Sequence, residues 1–404
     1  MPQTVSADKK KIHGKNTAVR EMYLTMQHEK SEGSRNAVLI LANHAVAVCN
    51  VRMELIKRLI ADGYEVHVSC PSGSGTDSLT AMGVRFHKIK IDRHGMNPFA
   101  ELSVLNEYRR LVKSIRPAVV LTYTIKPNIY GGIAAGEAHI PYIANITGLG
   151  SALEKEGIKR VFLMLLYKAG LYHAQKVFFQ NRANRHFMLK HRIVTGPHEL
   201  LPGSGVNLEK HSLEEYPGTS KGLVFLTAGR IMKDKGTDEL LEAAAVIKKR
   251  YPDVRFCLTG FFDDDYREKI ASAVKEGLIE YTGQQNDMHP YFKNSHALIH
   301  PSHHEGMSNA ILEAASTGRP VLASRIPGCR EAFDEGVSGF GFRAGDSASL
   351  VRAIEKFIRL SSVQKAEMGK AGRRKMEREF DRQTVVEKYM REINRIRRRQ
   401  DGFI

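Results

Sequence analysis

From Asn36 onward the chain alternates short, nearly continuous apolar runs with longer stretches whose apolar residues recur every three or four positions. The first run, Ala37 to Ala42, precedes a helix-like segment ending at Asp62-Gly63, and Tyr64 to Cys70 follows as a second strand. This is a βαβ opening. The alternation continues with Val84 to Ile89, a helix across Leu102 to Ile115, Ala118 to Thr122, a helix from about Asn128, and Pro141 to Ile146. Strands that are apolar throughout, with helices between them, predict a parallel sheet covered on both faces.

A second series starts after Pro217-Gly218. Leu223 to Ala228, Val254 to Thr259, Ile279 to Thr282, Ala297 to His300 and Val321 to Ser324 read as strands separated by helical stretches. Two Rossmann-like α/β domains follow, with the boundary near residues 203 to 220. Residues 1–35 lack periodicity and are rich in Lys, Ser, Thr and Gln, which predicts a flexible leader. The division is then 36–205 for an N-terminal domain, 206–381 for a C-terminal domain, and 382–404 for a last helix and basic tail. The helix-like segment Arg382 to Arg399 comes after the second sheet is complete, so it is expected to pack back across the domain junction.

Composition narrows the class. With 404 residues, 42% hydrophobic and 26% charged, the chain can bury two cores and is neither disordered nor fibrous. Its apolar stretch Val161 to Leu166 falls far short of the ~20 residues that span a bilayer, and the Lys-rich start lacks the apolar core of a secretory signal. The expected location is the cytoplasm. Cys49, Cys70, Cys257 and Cys329 are scattered with no CxxC pair, which predicts reduced, buried thiols. A formal charge of +17 favours polyanions without choosing among nucleic acid, anionic lipid and phosphorylated substrates. Arg395, Arg397, Arg398 and Arg399 motivate a nucleic-acid reading, but neither an aromatic-rich RNA motif nor zinc-finger spacing supports it.

In a parallel α/β sheet, ligands gather where strands end and helices begin. Two such loops carry unusual chemistry. The first runs His300-Pro301-Ser302-His303-His304-Glu305-Gly306-Met307-Ser308-Asn309 into Ala310-Ile311-Leu312-Glu313, where helix-start amides would face a phosphate or sugar oxygen. Glu305 and Glu313 are eight residues apart, about 12 Å on a helical rise, a separation suited to gripping both ends of a sugar nucleotide. Such a pair alone is more often a helix-start carboxylate and a structural acid. The second loop, Ala228-Gly229-Arg230-Ile231-Met232-Lys233-Asp234-Lys235-Gly236, offers a guanidinium fork and an ammonium that could clamp a diphosphate. Exposed bases after a strand are usually only solvated. The cluster His300, His303, His304 and Glu305 also invites a metal reading.

Together, in this order within one Rossmann-like half, the two motifs resemble the family 4 glycosyltransferases of the GT-B fold, bacterial enzymes of lipid-linked polysaccharide and glycan biosynthesis among them. The likeness covers nearly the whole chain after Asn36. Glu305 and Glu313 match the family's E-x7-E motif, and Arg230 with Lys235 match its Gly-Arg-x4-Lys-Gly clamp. The resemblance implies a retaining transfer of a hexose or N-acetylhexosamine from a nucleotide-sugar, with a UDP-linked donor expected. Glu305 would contact the transferred sugar, Glu313 the ribose, and Arg230 with Lys235 the departing diphosphate. Gly229, Gly306, Met307, Ser308 and Asn309 would line the donor, and Gly205 would approach its phosphate or form the hinge turn. The donor is a co-substrate, and neither a cofactor nor a metal is expected. Ser308 departs from the proline that many relatives have in the turn leading into the helix.

The loops Asn50-Val51-Arg52-Met53, Thr124 to Gly131 and Ala144 to Gly150 look like the family's acceptor-side loops. Arg52, Lys126, Asn145, Thr147 and Gly148 are the candidates there, for a polyprenyl-diphosphate-linked sugar or another saccharide. Turn chemistry explains these residues about as well. Gly157 to Phe179 mixes basic and apolar residues in a way that suits either a core-packed helix with basic edges, the commoner case in isolation, or an interfacial helix; with a lipid-linked acceptor, an anionic membrane surface becomes a candidate partner, and no nucleic acid is expected. A GT-B sugar-nucleotide epimerase or hydrolase is the alternative, sharing diphosphate recognition but needing no acceptor.

Overall fold

A computed structural model describes residues 36–402 except 74, 93, 94, 96, 151, 152, 154–156 and 221. The expected leader, 1–35, lies outside the described residues.

Seven parallel strands form the first sheet: β1 (Ala37–Leu41), β2 (Glu65–Cys70), β3 (Arg85–Lys88), β4 (Val119–Tyr123), β5 (Tyr142–Ile146), β6 (Lys176–Phe179) and β7 (His198–Leu200), in the order β3-β2-β1-β4-β5-β6-β7. The second sheet has six parallel strands, β8 (Val224–Ala228), β9 (Arg255–Thr259), β10 (Glu280–Tyr281), β11 (Ala297–His300), β12 (Val321–Ser324) and β13 (Gly339–Phe342), in the order β10-β9-β8-β11-β12-β13. Of the helices, those that bear on the site are α1 (Ala45–Val51), α2 (Met53–Ala61), α3 (Pro98–Ile115), α4 (Ile158–Leu171), α5 (Arg182–Lys190), α6 (Thr237–Arg250), α7 (Asn309–Ser316) and α8 (Arg382–Gln400).

The continuous apolar runs are central strands. All five residues of β1, β4 and β5 are buried, as periodicity without alternation requires when helices cover both faces. In each sheet the strand order reverses once at the centre, between β1 and β4 and between β8 and β11. Loops leaving the carboxyl ends of those strand pairs diverge to opposite faces and open a crevice. Arg230 and Lys235 follow β8 and Glu305 follows β11, so both motifs leave one crevice.

Helix α8 ties the halves together. Asp381 caps its start by accepting from the Gln383 amide, and Val385, Val386, Tyr389, Met390, Ile393 and Ile396 pack into the core around β1 and β2. Burying six such side chains contributes on the order of 10 kcal/mol before the entropy of ordering the helix is subtracted. At its first turn Arg382 donates to both Glu54 oxygens at 3.0 Å and to the Gly205 carbonyl. The last helix of the chain is thereby part of the first domain's core.

The segment from Gly157 to Phe179 is corrected by the structure. It is not one interfacial helix: α4 ends at Leu171, and Lys176–Phe179 is strand β6, buried at Val177, Phe178 and Phe179. The helix expected from about Asn128 begins as a π turn over Pro127–Gly131.

Candidate functional site

The two motifs meet in one cavity of about 370 Å³ between the sheets. Gly229, Arg230, Lys235, Glu305, Met307, Ser308, Asn309 and Glu313 line it from the second domain, and Val46 and Asn50 line it from the first.

Lys235 Nζ lies 2.5 Å from Glu305 Oε1, and His300 Nε2 donates to the same oxygen at 2.8 Å. His300 is the last residue of β11 and is itself buried, so it is held rigidly beneath the carboxylate. Burial pushes the Glu305 carboxyl up, but the Lys235 ammonium and the His300 imidazole outweigh it and hold the group well below the usual carboxylate range. Glu305 is therefore an anion at neutral pH, fit to accept hydrogen bonds from hydroxyls and not to donate a proton. Arg230 leaves the same strand end as Lys235's loop and pairs with Asp263, which fixes its fork at the cavity wall.

Glu313 lies in α7, one helical turn into the wall. Burial raises its carboxyl from 4.5 to about 7, against the opposing pull of Arg382 and Lys210. His211 lies 3.9 Å away and is pushed down to about 3 by its own burial, so it gives Glu313 no cation at neutral pH. Glu305, by contrast, is not helical. Helix α7 starts at Asn309, so the 12 Å helical separation expected for the acidic pair does not apply, although both acids reach the same cavity. Ser308 is the N-cap of α7, its hydroxyl accepting from the Ile311 amide, a role proline lacks the side chain to fill.

Gly306 packs against the facing domain. A Cβ built there would lie 1.4 Å from the Thr147 carbonyl oxygen, so only glycine permits this approach. Beside it the Asn181 amide donates to the Glu305 and Gly306 carbonyls at 3.3 and 2.7 Å, while its oxygen caps α5 through Asn184 N–H. Thr147 and Gly148 thus meet the loop that carries Glu305 directly.

Three expected site residues play other parts. Lys126 places its ammonium against Glu101, the Gly95 carbonyl at 2.9 Å and the Asp92 carbonyl, which occupies all three of its donors in loop anchoring. Asn145 is fully buried in β5 and donates to Tyr389 of α8 at 2.6 Å, so it faces core and not cleft. Gly205 packs against the start of α8: its φ is 66°, its Cβ position falls 2.5 Å from Arg382 Cα, and it lines neither this cavity nor its neighbour. Arg52 lies in a smaller adjoining cavity with Thr147, Gln180 and Ser204. Sequence reasoning missed Asn181 altogether and weighed His300 only as a metal ligand; among the described residues no group of three or more His, Cys, Asp or Glu side chains is arranged to hold a metal.

Known proteins share this architecture. Residues 37–181 match the family model described as Glycosyl transferase 4-like, and residues 222–359 match Glycosyl transferases group 1. The N,N'-diacetylbacillosaminyl-diphospho-undecaprenol alpha-1,3-N-acetylgalactosaminyltransferase of Campylobacter jejuni is 24% identical over 373 residues, covering 88% of this chain and 98% of its own. The UDP-Gal:alpha-D-GlcNAc-diphosphoundecaprenol alpha-1,3-galactosyltransferase of Escherichia coli is 26% identical, covering 76% of this chain and 83% of its own. Among solved structures, Anabaena HepE in complex with UDP and glucose superposes with a TM-score of 0.71 at 17% identity, covering 89% of this chain and 99% of that one.

Proposed function

Because this chain is a family 4 glycosyltransferase of the GT-B fold, we propose that it moves a hexose or N-acetylhexosamine, with retention, from a UDP-sugar to a lipid-diphosphate-linked saccharide. The observation that carries this reading is the convergence of Arg230, Lys235, Glu305 and Glu313 on one cavity whose far wall belongs to the other domain. The relatives named above act on diphospho-undecaprenol-linked acceptors, and one takes UDP-galactose, which supports the donor and acceptor classes.

In this reading Arg230 and Lys235 face the donor diphosphate. As the bond between the anomeric carbon and the diphosphate oxygen breaks, negative charge grows on that oxygen, and their fixed positive charge stabilises it. The acceptor hydroxyl attacks from the same face and passes its proton to a departing phosphate oxygen. Anionic Glu305 accepts from a sugar hydroxyl, and Glu313 accepts from the ribose. Incubation with UDP-, GDP- and dTDP-sugars and lipid extracts tests the proposal: acceptor-dependent transfer from a UDP-sugar is expected, and acceptor-independent hydrolysis or epimerisation would replace it with the alternative reading.

Glu313 makes donor binding pH-dependent. Its carboxyl titrates near 7 without ligand, and the ionised form accepts ribose hydroxyls better, so UDP affinity should rise between pH 6 and pH 8. Measured with a UDP-sugar, whose diphosphate does not titrate in this range, Glu313→Gln should abolish that rise, which calorimetry at the two pH values reads; an unchanged slope would remove Glu313 from the ribose site. The sign for stability is opposite. The folded state holds this proton more tightly than the unfolded chain, so the group's contribution to stability falls as pH rises from 4.5 to about 7.

A lipid-linked acceptor would bring the enzyme to a membrane surface, and we propose that it binds there peripherally. Among the described residues no helix is long and apolar enough to cross one. Ile158, Val161, Phe162 and Leu165 follow helical spacing along one face of α4, and each is at least half exposed. From Gly157 to His198 the chain carries eight Lys or Arg and no Asp or Glu. An apolar stripe beside a run of basic residues suits an anionic bilayer surface. The full chain should float with anionic vesicles and not with neutral ones, and Phe162→Asp with Leu165→Asp should weaken flotation about tenfold or more. Equal absence from both vesicle types would sink the membrane assignment.

A further inference from the structure

The cavity beside the donor site holds a buried cation that no acid among the described residues neutralises. Arg52 interrupts the chain between α1 and α2, where φ −113° and ψ 4° turn α2 away from α1. Its residue is 5% exposed, and its guanidinium lies 4.3 Å from the centre of the Tyr123 ring. Among the described residues its side chain makes no ion pair, and this stacking is the polar side-chain contact it has. Glu54, the acid two residues on, is already bound by Arg382 at 3.0 Å and by the Asn207 amide at 2.7 Å.

An arginine this deeply placed is ordinarily paired with a carboxylate, because removing a charge from water costs more than stacking on an aromatic ring returns. The surroundings are built to hold a ligand. The cavity is about 160 Å³ and is lined by Thr124, Thr147, Gln180, Ser204 and Asn309 around Arg52. Thr124 sits at φ 72°, a left-handed backbone that a β-branched residue adopts only when its surroundings impose it. Asn309, at the start of α7, lines this cavity and the donor cavity alike, and its buried Oδ1 has no hydrogen-bond partner among the described residues. An anion with hydroxyls nearby would engage the guanidinium fork and the polar wall together.

We propose that Arg52 is the anchor of a second anion subsite, which takes the diphosphate of the acceptor while the donor diphosphate sits at Arg230 and Lys235. The inference rests on the donor reading above and deepens it: one diphosphate per cavity, with Asn309 on the wall between them. Arg52 holds the acceptor by its charged group, so recognition of the acceptor does not depend on its sugar alone.

The experiment titrates inorganic pyrophosphate into the full chain saturated with UDP. The wild type should bind it alongside UDP. Arg52→Met should weaken that binding on the order of tenfold to hundredfold, Arg52→Lys should weaken it less, and UDP affinity should stay within about twofold in both. Pyrophosphate that binds only UDP-free protein, or that binds Arg52→Met as well as wild type, overturns the proposal. Glucuronate is the second arm; tighter binding of that carboxylate than of pyrophosphate would overturn the diphosphate assignment. UDP is titrated first and separately, so a wild type that fails to bind it removes the donor reading and this premise together, whereas UDP binding without an Arg52-dependent second anion removes this inference alone.

Discussion

Replacing Lys235 with alanine will lower turnover by about a hundredfold to a thousandfold, the loss typical when a preorganised group that stabilises transition-state charge is removed. The structure gives two reasons for an effect of this size. Lys235 Nζ lies 2.5 Å from Glu305, and its removal takes positive charge from the place where, in the proposed reaction, the leaving diphosphate would gather negative charge. It also leaves Glu305 with His300 alone, so the carboxyl will be harder to ionise and a poorer acceptor for the sugar. Lys235→Arg should recover part of the activity, because it restores charge but not the ammonium's compact geometry. A folded Lys235→Ala enzyme with near-normal turnover would remove the clamp from the account.

Gly306→Ala will separate donor binding from transfer. The new Cβ would lie 1.4 Å from the Thr147 carbonyl oxygen and 2.4 Å from its carbon, both backbone atoms that cannot rotate away. The loops must part, and the two hydrogen bonds from the Asn181 amide to the Glu305 and Gly306 carbonyls will stretch with them. Arg230, Lys235 and Glu313 all lie in the second domain, so UDP affinity should change by less than about threefold, as for sites that do not share the perturbed contact. Transfer should fall about a hundredfold, since a misplacement near 1 Å is enough to cost that much. Calorimetry with UDP and an acceptor-dependent rate, measured on the same preparation, read the two parts. Equal losses in both would mean the loop contact serves the donor site and not the meeting of the domains.

Much of this architecture is legible in the sequence because central parallel strands are buried on both faces. Ala37 to Ala42, Ala118 to Thr122 and Ala297 to His300 advertise themselves as unbroken apolar runs, and the structure has strands at all three. The strands that escaped notice lack that signature. His198–Leu200 is a three-residue edge strand of intermediate burial, and Gly339–Phe342 reads Gly-Phe-Gly-Phe, a composition that suggests a loop. Lys176–Phe179 was hidden because its apolar residues follow a basic amphipathic helix closely enough to extend its pattern.

The site was legible in part for a similar reason. Arg230, Lys235, Glu305 and Glu313 sit in recognisable local strings, and the sheet's reversal between β8 and β11 brings those strings to one crevice. What local spacing cannot express is pairing across distance. Lys235 and Glu305 are 70 residues apart, and Asn181 meets Gly306 from 125 residues away, so neither the charge balance of Glu305 nor the interdomain contact can be read along the chain. Lys126 and Asn145 show the converse: each lies in a loop or strand end of promising composition, yet Glu101 and Tyr389 claim their side chains for the scaffold.

The central claim is that one cavity activates a UDP-sugar for transfer to an acceptor held by the facing domain. Incubating the purified full chain with labelled UDP-sugars and a diphosphate-linked lipid acceptor, then determining the product's anomeric configuration by NMR, tests it most directly. Acceptor-dependent label transfer, retention of the donor's configuration, and loss of both product and rate in Lys235→Ala are the expected results. Release of free sugar or an epimer at the same rate with and without acceptor would contradict it.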